Sequence, residues 1–200
     1  DQTGLGAELP RIVAKNDRIE VRLGQEVVSI EQDSAGVTIS SRGRDATNNE
    51  GHRASYAIGC DGASSFVREA IGANWESLDY DQDWLVLDIT QGPGADLPLN
   101  TMQICDPARL ASYICVKDPN RRWEFQLLEG ETREEMLAPE KIHELLASWI
   151  DPKDYTLRRA AVYQFHAATA DRWRNERVLL AGDAAHQTPP FLVQGLKAGF

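Results

Sequence analysis

The stretch Arg177-Val178-Leu179-Leu180-Ala181-Gly182-Asp183-Ala184-Ala185-His186 decides the fold of this chain. Its first half is a short, continuous apolar run, which is typical of a strand buried on both faces in a parallel sheet. The Gly-Asp pair then places a carboxylate where the strand ends, and ligands of α/β sheets bind at that edge. An ionised Asp183 accepts hydrogen bonds, which suits the hydroxyls of a sugar or ribityl chain. The stretch therefore predicts a small-molecule site at position 183.

The residues that follow predict a second part of the same site. Pro189-Pro190 forms a turn, and a helix is predicted to begin near Gln194-Gly195. The N-terminus of a helix presents free N–H groups and a positive dipole end to whatever lies above the sheet. An electron-rich ring carbonyl would be stabilised there.

A second motif runs from Tyr56 to Arg68 and consists of Tyr-Ala-Ile-Gly-Cys-Asp-Gly-Ala-Ser-Ser-Phe-Val-Arg. It combines a compact apolar strand, an Asp-Gly turn, a serine that can cap a helix, and the helix itself. This order exposes Asp61 and Arg68 near the helix start, where Arg68 would suit a pyrophosphate. Asp-Gly is also a common turn dipeptide, so this motif supports the Gly-Asp motif and does not stand alone.

The rest of the sequence predicts two sheets of different kinds. A small antiparallel meander is expected from strands at 19–23, 27–31 and 36–40, and a polar loop from 41–53. A helix is expected at 65–71. A second, mostly antiparallel sheet is expected from strands at 84–89, 101–105, 112–116, 122–128 and 157–165, with an amphipathic helix that begins at Pro139 and stops at Asp151-Pro152.

The element order predicts a mixed α/β fold of the α+β kind, built from two domains. Residues 1–75 and the return segment 174–200 would form one domain, and residues 76–173 would form an inserted antiparallel-sheet domain. The chain begins without Met and stops at Phe200 inside a predicted helix, so we expect the natural ends to lie outside these 200 residues.

Charge and composition narrow the class of partner. The formal net charge of -10 would repel nucleic-acid phosphates and anionic lipid heads, which favours a small-molecule partner. No apolar stretch approaches the roughly 20 residues that span a bilayer. The three cysteines form no CxxC pair, which suits a reducing cytoplasm. The sequence is also compatible with a homo-oligomer of this chain.

Together and in this order, the two motifs resemble those of the class A flavoprotein aromatic monooxygenases, the family with the para-hydroxybenzoate hydroxylase fold. Within that family the middle of the chain is most similar to the 3-(3-hydroxyphenyl)propionate hydroxylase type, through residues 103–109 and 121–128. The resemblance covers nearly the whole chain. It implies an FAD-binding, Rossmann-like domain whose GxGxxG fingerprint is absent here and is expected to precede Asp1.

The resemblance also implies roles for single residues. Gly182 and Asp183 would hold the ribityl and phosphate region of FAD, while Asp61, Gly62 and Arg68 would flank the pyrophosphate and the approach of NAD(P)H. The full set of cofactor-binding residues that it implies is Asp61, Gly62, Arg68, Gly182, Asp183, Pro189, Gln194, Gly195, Leu196 and Lys197.

The resemblance defines the substrate-binding residues less fully than the cofactor-binding residues. Pro190 would shape the wall between flavin and substrate, and Trp123 and Phe125 are pocket candidates, although a strand face of this kind is more often core. Val193 stands where the family usually has Gly and would crowd the flavin if that backbone needs a positive φ. Lys197 stands where the family usually has a small or amide-bearing residue, and its positive charge would instead stabilise the anionic reduced ring. His186 lacks further ligands at a metal-binding spacing, so no metal is expected.

The activity that the resemblance implies is hydroxylation of a small phenolic acid with O2 and NAD(P)H, through a flavin C4a-hydroperoxide. No catalytic side chain is identified, because the cofactor supplies the chemistry. These 200 residues alone are expected to bind FAD poorly and to turn over nothing. Two other readings are a flavoenzyme of the same fold with different redox chemistry, and a flavin-free binding domain.

Overall fold

The computed structural model describes residues 2–191, 195, 198 and 199, with side chains from residue 5 onward. Along the chain the helices and strands are α1 (Gln2–Val13), β1 (Gln25–Asp33), β2 (Gly36–Gly43), β3 (Glu50–Ala54), β4 (Ala57–Gly59), α2 (Phe66–Ala70), β5 (Trp75–Gln91), β6 (Met102–Asp106), β7 (Arg109–Cys115), β8 (Asn120–Gln126), α3 (Arg133–Leu137), α4 (Pro139–Leu146), β9 (Tyr155–Ala170), β10 (Arg174–Asn175), β11 (Val178–Leu180) and β12 (His186–Gln187). The expected mixture of helices with a largely antiparallel sheet is confirmed.

The chain divides into two compact units. The first comprises the described residues of Asp1–Asp79, Ala167–Pro189 and Val193–Phe200, and the second those of Tyr80–His166 and Pro190–Leu192. The sequence expectation set the boundaries at residues 75 and 173. The divisions differ because β5 and β9 are longer than the sequence predicts, and each contributes residues to both units.

After α1, the first unit contains an antiparallel meander in the order β1-β2-β3. Its first turn is fixed by the Asp33 carboxylate, which accepts hydrogen bonds from the backbone N–H groups of Ala35 and Gly36. The prediction of a strand at 19–23 is wrong, since its apolar residues stay exposed and no described strand pairs with them. The third strand of the meander is β3 instead, within the predicted polar loop.

A small sheet in the order β10-β11-β4 carries the predicted site. β11 and β4 are parallel, as the apolar run at 177–181 predicts, while β10 is antiparallel to β11. Val178 and Leu180 are almost fully buried and pack with Val37, Ala57, Val67 and Ile71 in the apolar core of this unit. Burial of these aliphatic side chains fixes which strand ends lie side by side.

In the second unit the strands stand in the order β9-β5-β8-β7-β6. One face of this sheet packs on α3 and α4 through an apolar core that includes Leu85, Trp123, Met136 and Leu146. The short helix α3 is absent from the sequence prediction. It begins at a capping box in which Thr132 and Glu135 bond each other's backbone N–H groups.

Within the part of the chain that the structure describes, no helix combines the length and apolar character needed to cross a bilayer.

Candidate functional site at the ends of two parallel strands

The carboxyl ends of β4 and β11 lie side by side. Ala57 pairs with Val178 and Gly59 with Leu180, and the Ala181 N–H donates a 2.9 Å hydrogen bond to the Gly59 carbonyl. The loops that follow these strands therefore leave the sheet at the same edge, which is where parallel sheets bind ligands. One loop carries Asp61 and the other carries Asp183.

The Asp61 loop is held in shape by its own hydrogen bonds. The Ser65 hydroxyl donates to one Asp61 oxygen at 2.6 Å, and the Val67 N–H donates to the other at 3.0 Å. Ser65 also accepts from the Arg68 N–H, so it caps α2 as the sequence predicts. Partial burial raises the pKa of Asp61, but these hydrogen bonds outweigh it and leave the pKa below its ordinary value. The carboxylate is thus an ionised loop anchor.

Arg68 is buried, with 6% of its surface exposed. Its guanidinium donates a 2.8 Å hydrogen bond to the Ala63 carbonyl and lies 4.4 Å from the centre of the Trp75 ring, a cation–π contact. Sequence reasoning placed Arg68 at an exposed helix start, and the exposure expected there is wrong. The long side chain folds back and braces the loop between β4 and α2.

Ala63 joins the two loops, and the sequence analysis did not single it out. Its carbonyl accepts from Arg68 and also from the Gln187 amide at 3.4 Å. Gln187 follows the Gly-Asp motif, so this backbone oxygen ties the segments after β4 and β11 together. A backbone acceptor carries no signal in the sequence, which is why the link was missed.

Gly182 and Asp183 begin a short 3-10 helix, Gly182–Ala184, directly after β11. Gly182 has φ +59°, which favours glycine. Asp183 is exposed, and its carboxylate has no hydrogen-bond partner among the described residues. The two alanines behind it are fully buried and anchor the turn. Asp183 is therefore free to accept hydrogen bonds from a ligand.

His186 takes part in packing. Its ring stacks on the Trp173 indole, with ring centres 5.4 Å apart and planes inclined by 18°. Across the described residues, His, Cys, Asp and Glu side chains form no group of three that would hold a metal ion.

Part of the predicted site falls on positions whose structure is not described. Val193, Gln194, Leu196 and Lys197 lie outside the described residues. Gly195 is helical, and its carbonyl accepts a 3.1 Å hydrogen bond from the Gly199 N–H. A Cβ atom at Gly195 would lie 3.3 Å from the Thr188 hydroxyl, so the chain passes close to its own preceding turn. Pro189 belongs to the first unit and Pro190 to the second.

Trp123 and Phe125 lie in the core of the second unit. They are 0% and 5% exposed and belong to the apolar cluster that α3 and α4 cover. Side chains alternate across a strand, so these two face the helices and the intervening Glu124 faces the other way. As substrate candidates they are therefore corrected to core residues.

The opposite face of that sheet is more polar at its centre. Glu124 is 7% exposed and stands in register with Val86 on one side and Ser112 on the other. Ser112 in turn pairs with Gln103 and donates a 2.9 Å hydrogen bond to its side chain. A charged residue between two core aromatics was the sequence signal for this position, and the sequence analysis did not use it.

Aromatic side chains lie beside these polar residues. Trp84 stacks on Phe165 with ring centres 5.8 Å apart, and Phe191 meets the Trp84 ring edge-on at 5.0 Å. Phe191 follows Pro190 directly, so the residue after the Pro-Pro turn lies against this face of the second unit.

The two glycines at the strand edge fit the approach of a dinucleotide cofactor. Gly62 has φ +83° and Gly182 φ +59°, and no described atom beyond the chain neighbours lies within 4 Å of the position that a Cβ would take at either. Open space beside the backbone allows a phosphate or ribityl group to come close, and Asp183 adds an acceptor for hydroxyls.

Comparison with known proteins gives relatives that are named as hydroxylases of aromatic compounds. The chain is 36% identical to the "Probable NADH-specific resorcinol 4-hydroxylase" of Rhodococcus jostii (strain RHA1), over 99% of this chain and 37% of that protein. It is also 36% identical to a "3-(3-hydroxy-phenyl)propionate/3-hydroxycinnamic acid hydroxylase" of Burkholderia cenocepacia (strain HI2424), over 94% of this chain and 34% of that protein. The chain thus spans about a third of the length of these relatives.

Solved structures agree on the fold. The p-nitrophenol 4-monooxygenase PnpA from Pseudomonas putida DLL-E4 superposes with a TM-score of 0.83 at 26% identity, covering 99% of this chain and 50% of that one. An aklavinone-11 hydroxylase, solved with FAD and aklavinone, gives a TM-score of 0.76 at 27% identity, covering 88% of this chain and 35% of that one. A family model described as "FAD binding domain" matches residues 9–200, and the chain therefore belongs to that family.

Proposed function

We propose that the protein is an FAD-dependent aromatic hydroxylase that uses NADH or NADPH and O2 to hydroxylate a small phenolic compound. The observation that carries the proposal is the pairing of β4 with β11, which brings the Asp61 and Asp183 loops to one sheet edge. Membership of the FAD binding domain family supports the cofactor, and the names of the relatives support an aromatic substrate.

Asp183 is the proposed acceptor for hydroxyl groups of the FAD ribityl chain. It is exposed and has no described hydrogen-bond partner, so binding would not break an existing contact. Gly182 and Gly62 would let the cofactor backbone approach, since both have open space where a side chain would stand. Gln194, Leu196, Lys197 and Pro189 remain proposed neighbours of the flavin.

Asp61 and Arg68 are proposed to position the loop between β4 and α2 instead of contacting phosphate. Both Asp61 oxygens already accept hydrogen bonds, and the Arg68 guanidinium already bonds to Ala63 and lies over Trp75. Their contribution to the cofactor would be a fixed backbone at Gly62 and Ala63.

When bound, FAD would carry electrons from NADH or NADPH to O2, so that one oxygen atom of O2 enters the ring and the other leaves as water. The chain's own residues would bind and orient the substrate and keep water away from it. The sheet face that carries Trp84 and Glu124 is the proposed substrate surface, because it offers aromatic side chains around a buried polar group.

The test uses the complete natural form of the protein, purified with FAD. We expect NADH or NADPH oxidation to rise when a phenolic acid such as 3-(3-hydroxyphenyl)propionate is added, with O2 consumed and a hydroxylated product formed. A rate of NADH or NADPH oxidation that no phenol changes would indicate different redox chemistry. A purified protein without flavin absorbance, even after incubation with FAD, would favour a flavin-free binding domain.

A further inference from the structure

Glu124 is a buried carboxyl group without a hydrogen-bond donor among the described residues. It lies at the centre of the second unit's sheet, between Val86 of β5 and Ser112 of β7. Val86 offers only aliphatic surface, and the Ser112 hydroxyl donates its hydrogen to Gln103. Burying a carboxyl group without a partner costs stability, so a carboxyl kept in this state points to a ligand.

The nearby cation does not neutralise Glu124. Arg122 lies two residues away on the same face, but its guanidinium donates two hydrogen bonds to Asp88, at 2.7 and 3.1 Å. Burial raises the pKa of Glu124; the charge of Arg122 opposes this rise and that of Asp88 adds to it. Glu124 is thus a largely buried carboxyl group that no described donor contacts, and it is available to accept a hydrogen bond from a ligand.

The Trp84 indole lies on the same face. Trp84 is fully buried, and among the described residues its indole N–H has no hydrogen-bond partner. Burial raises the pKa of the nearby Tyr80 hydroxyl and the Trp84 indole opposes that rise, yet the pair does not reach hydrogen-bond geometry. Trp84 and Val86 are two residues apart on β5, so Trp84 lies on the same face of the sheet as Glu124.

We infer that Glu124 accepts a hydrogen bond from a ring hydroxyl of the aromatic substrate. This inference rests on the proposed function and adds the residue that selects a hydroxylated ring. The ligand class is an uncharged phenolic hydroxyl, because a second carboxylate placed there would be repelled. The acidic tail of a phenolic acid would therefore point away from Glu124.

The test measures ligand binding by calorimetry in the complete, FAD-loaded protein, without turnover. Two ligands are compared, 3-(3-hydroxyphenyl)propionate and 3-phenylpropionate, which differ only in the ring hydroxyl. The variants are Glu124→Gln, Glu124→Ala and, as a matched control, Glu140→Gln, which removes an exposed carboxylate on α4.

We expect Glu124→Ala to weaken binding of the hydroxylated ligand by about 10- to 100-fold, the range for a hydrogen bond to a charged group. Glu124→Gln should weaken it less, because its amide oxygen still accepts. Binding of 3-phenylpropionate should stay unchanged in both, which also shows that the variants are folded. The Glu140→Gln protein should bind both ligands as the wild type does.

The outcomes separate this inference from the proposed function. If the wild type binds the hydroxylated ligand and both Glu124 variants bind it equally well, the subsite is overturned while the proposed function stands. Equal weakening of both ligands also overturns it, since that result describes a structural role. If the wild type binds neither flavin nor phenol, the proposed function fails and the inference falls with it.

Discussion

The Ala181 N–H, one residue past the last paired position of β11, donates a hydrogen bond of 2.9 Å to the carbonyl of Gly59, the last residue of β4. This bond fixes how the chain leaves both strands. The Asp61 and Asp183 loops begin within two residues of it, so the geometry of the proposed FAD site depends on this short parallel pair.

Close packing at Gly59 gives the first prediction. A Cβ atom there would lie 2.7 Å from the Val67 Cβ and 2.8 Å from its Cγ1, closer than van der Waals contact allows. Gly59→Ala should therefore lower the free energy of unfolding by about 1–3 kcal/mol, the usual cost of overpacking. Urea denaturation measures the change. Gly51→Ala is the control, because nothing lies within 4 Å of its Cβ position, and equal stability losses would contradict the packing account.

The Ser65 cap gives a second prediction. Ser65 is fully buried, accepts from the Arg68 N–H and donates to Asp61. Ser65→Ala should reduce the free energy of unfolding by about 1–2 kcal/mol, as for other lost helix caps. Thermal denaturation of Ser65→Ala beside Ser64→Ala, an exposed neighbour, provides the comparison. Equal stabilities of the two variants would show that the Ser65 cap does not stabilise the protein.

The ion pair between Glu131 and Arg109 should make the stability of the protein depend on pH. Arg109 donates to both Glu131 oxygens, at 2.7 and 2.5 Å, and these bonds hold the pKa of Glu131 at about 2, against an ordinary value of 4.5. Because the folded-state pKa is the lower one, the stabilisation is fully present above pH 4.5 and is lost as the pH falls toward 2.

Glu131→Gln isolates this effect. The variant should be less stable than the wild type by about 2 kcal/mol at pH 7, the scale of a hydrogen bond to a charged group. That difference should shrink steadily between pH 4.5 and pH 2. Free energies of unfolding from urea titrations at several pH values provide the measurement. A difference that does not vary over this range would show that the carboxylate charge is not responsible.

Glu124 should lower the stability of the protein at neutral pH. Its pKa is raised in the folded state, so ionisation favours unfolding once the pH rises above the unfolded-state pKa. Glu124→Gln should therefore unfold at a higher temperature than the wild type at pH 7, by a margin worth about 1 kcal/mol. The margin should narrow in acid, where the wild-type carboxyl is protonated in both states. Calorimetric melting curves at pH 4 and pH 7 measure this, and a less stable variant at pH 7 would count against a costly buried charge.

The parts of the fold that sequence predicts are those in which one short segment carries its own signal. The apolar run before Gly182 predicts a buried parallel strand, because burial on both faces leaves no polar position. Ile19 to Leu23 carries an equally clear alternation, but it has no partner strand in the described part of the chain, whereas the polar β3 forms because β2 offers it an edge. Pairing between distant segments decided both cases.

The residues of the site also divide into those that local sequence predicts and those that distant contacts place. The position of Asp183 at a strand end follows from local sequence. The burial of Arg68 depends on the Trp75 ring and on a backbone carbonyl at Ala63, and neither contact follows from residue type or spacing. Trp123 and Phe125 are placed in the core by the helices that cover their face of the sheet.

The most direct test of the central claim is the dissociation constant of FAD for the complete natural protein and for Asp183→Ala, measured by flavin fluorescence. Asp45→Ala, which removes an exposed carboxylate from the loop after β2, serves as the control. We predict that Asp183→Ala binds FAD about 10-fold or more weakly, as expected when a charged hydrogen-bond acceptor is lost, and that Asp45→Ala binds like the wild type. Equal affinities for all three proteins would contradict an FAD site at the ends of β4 and β11.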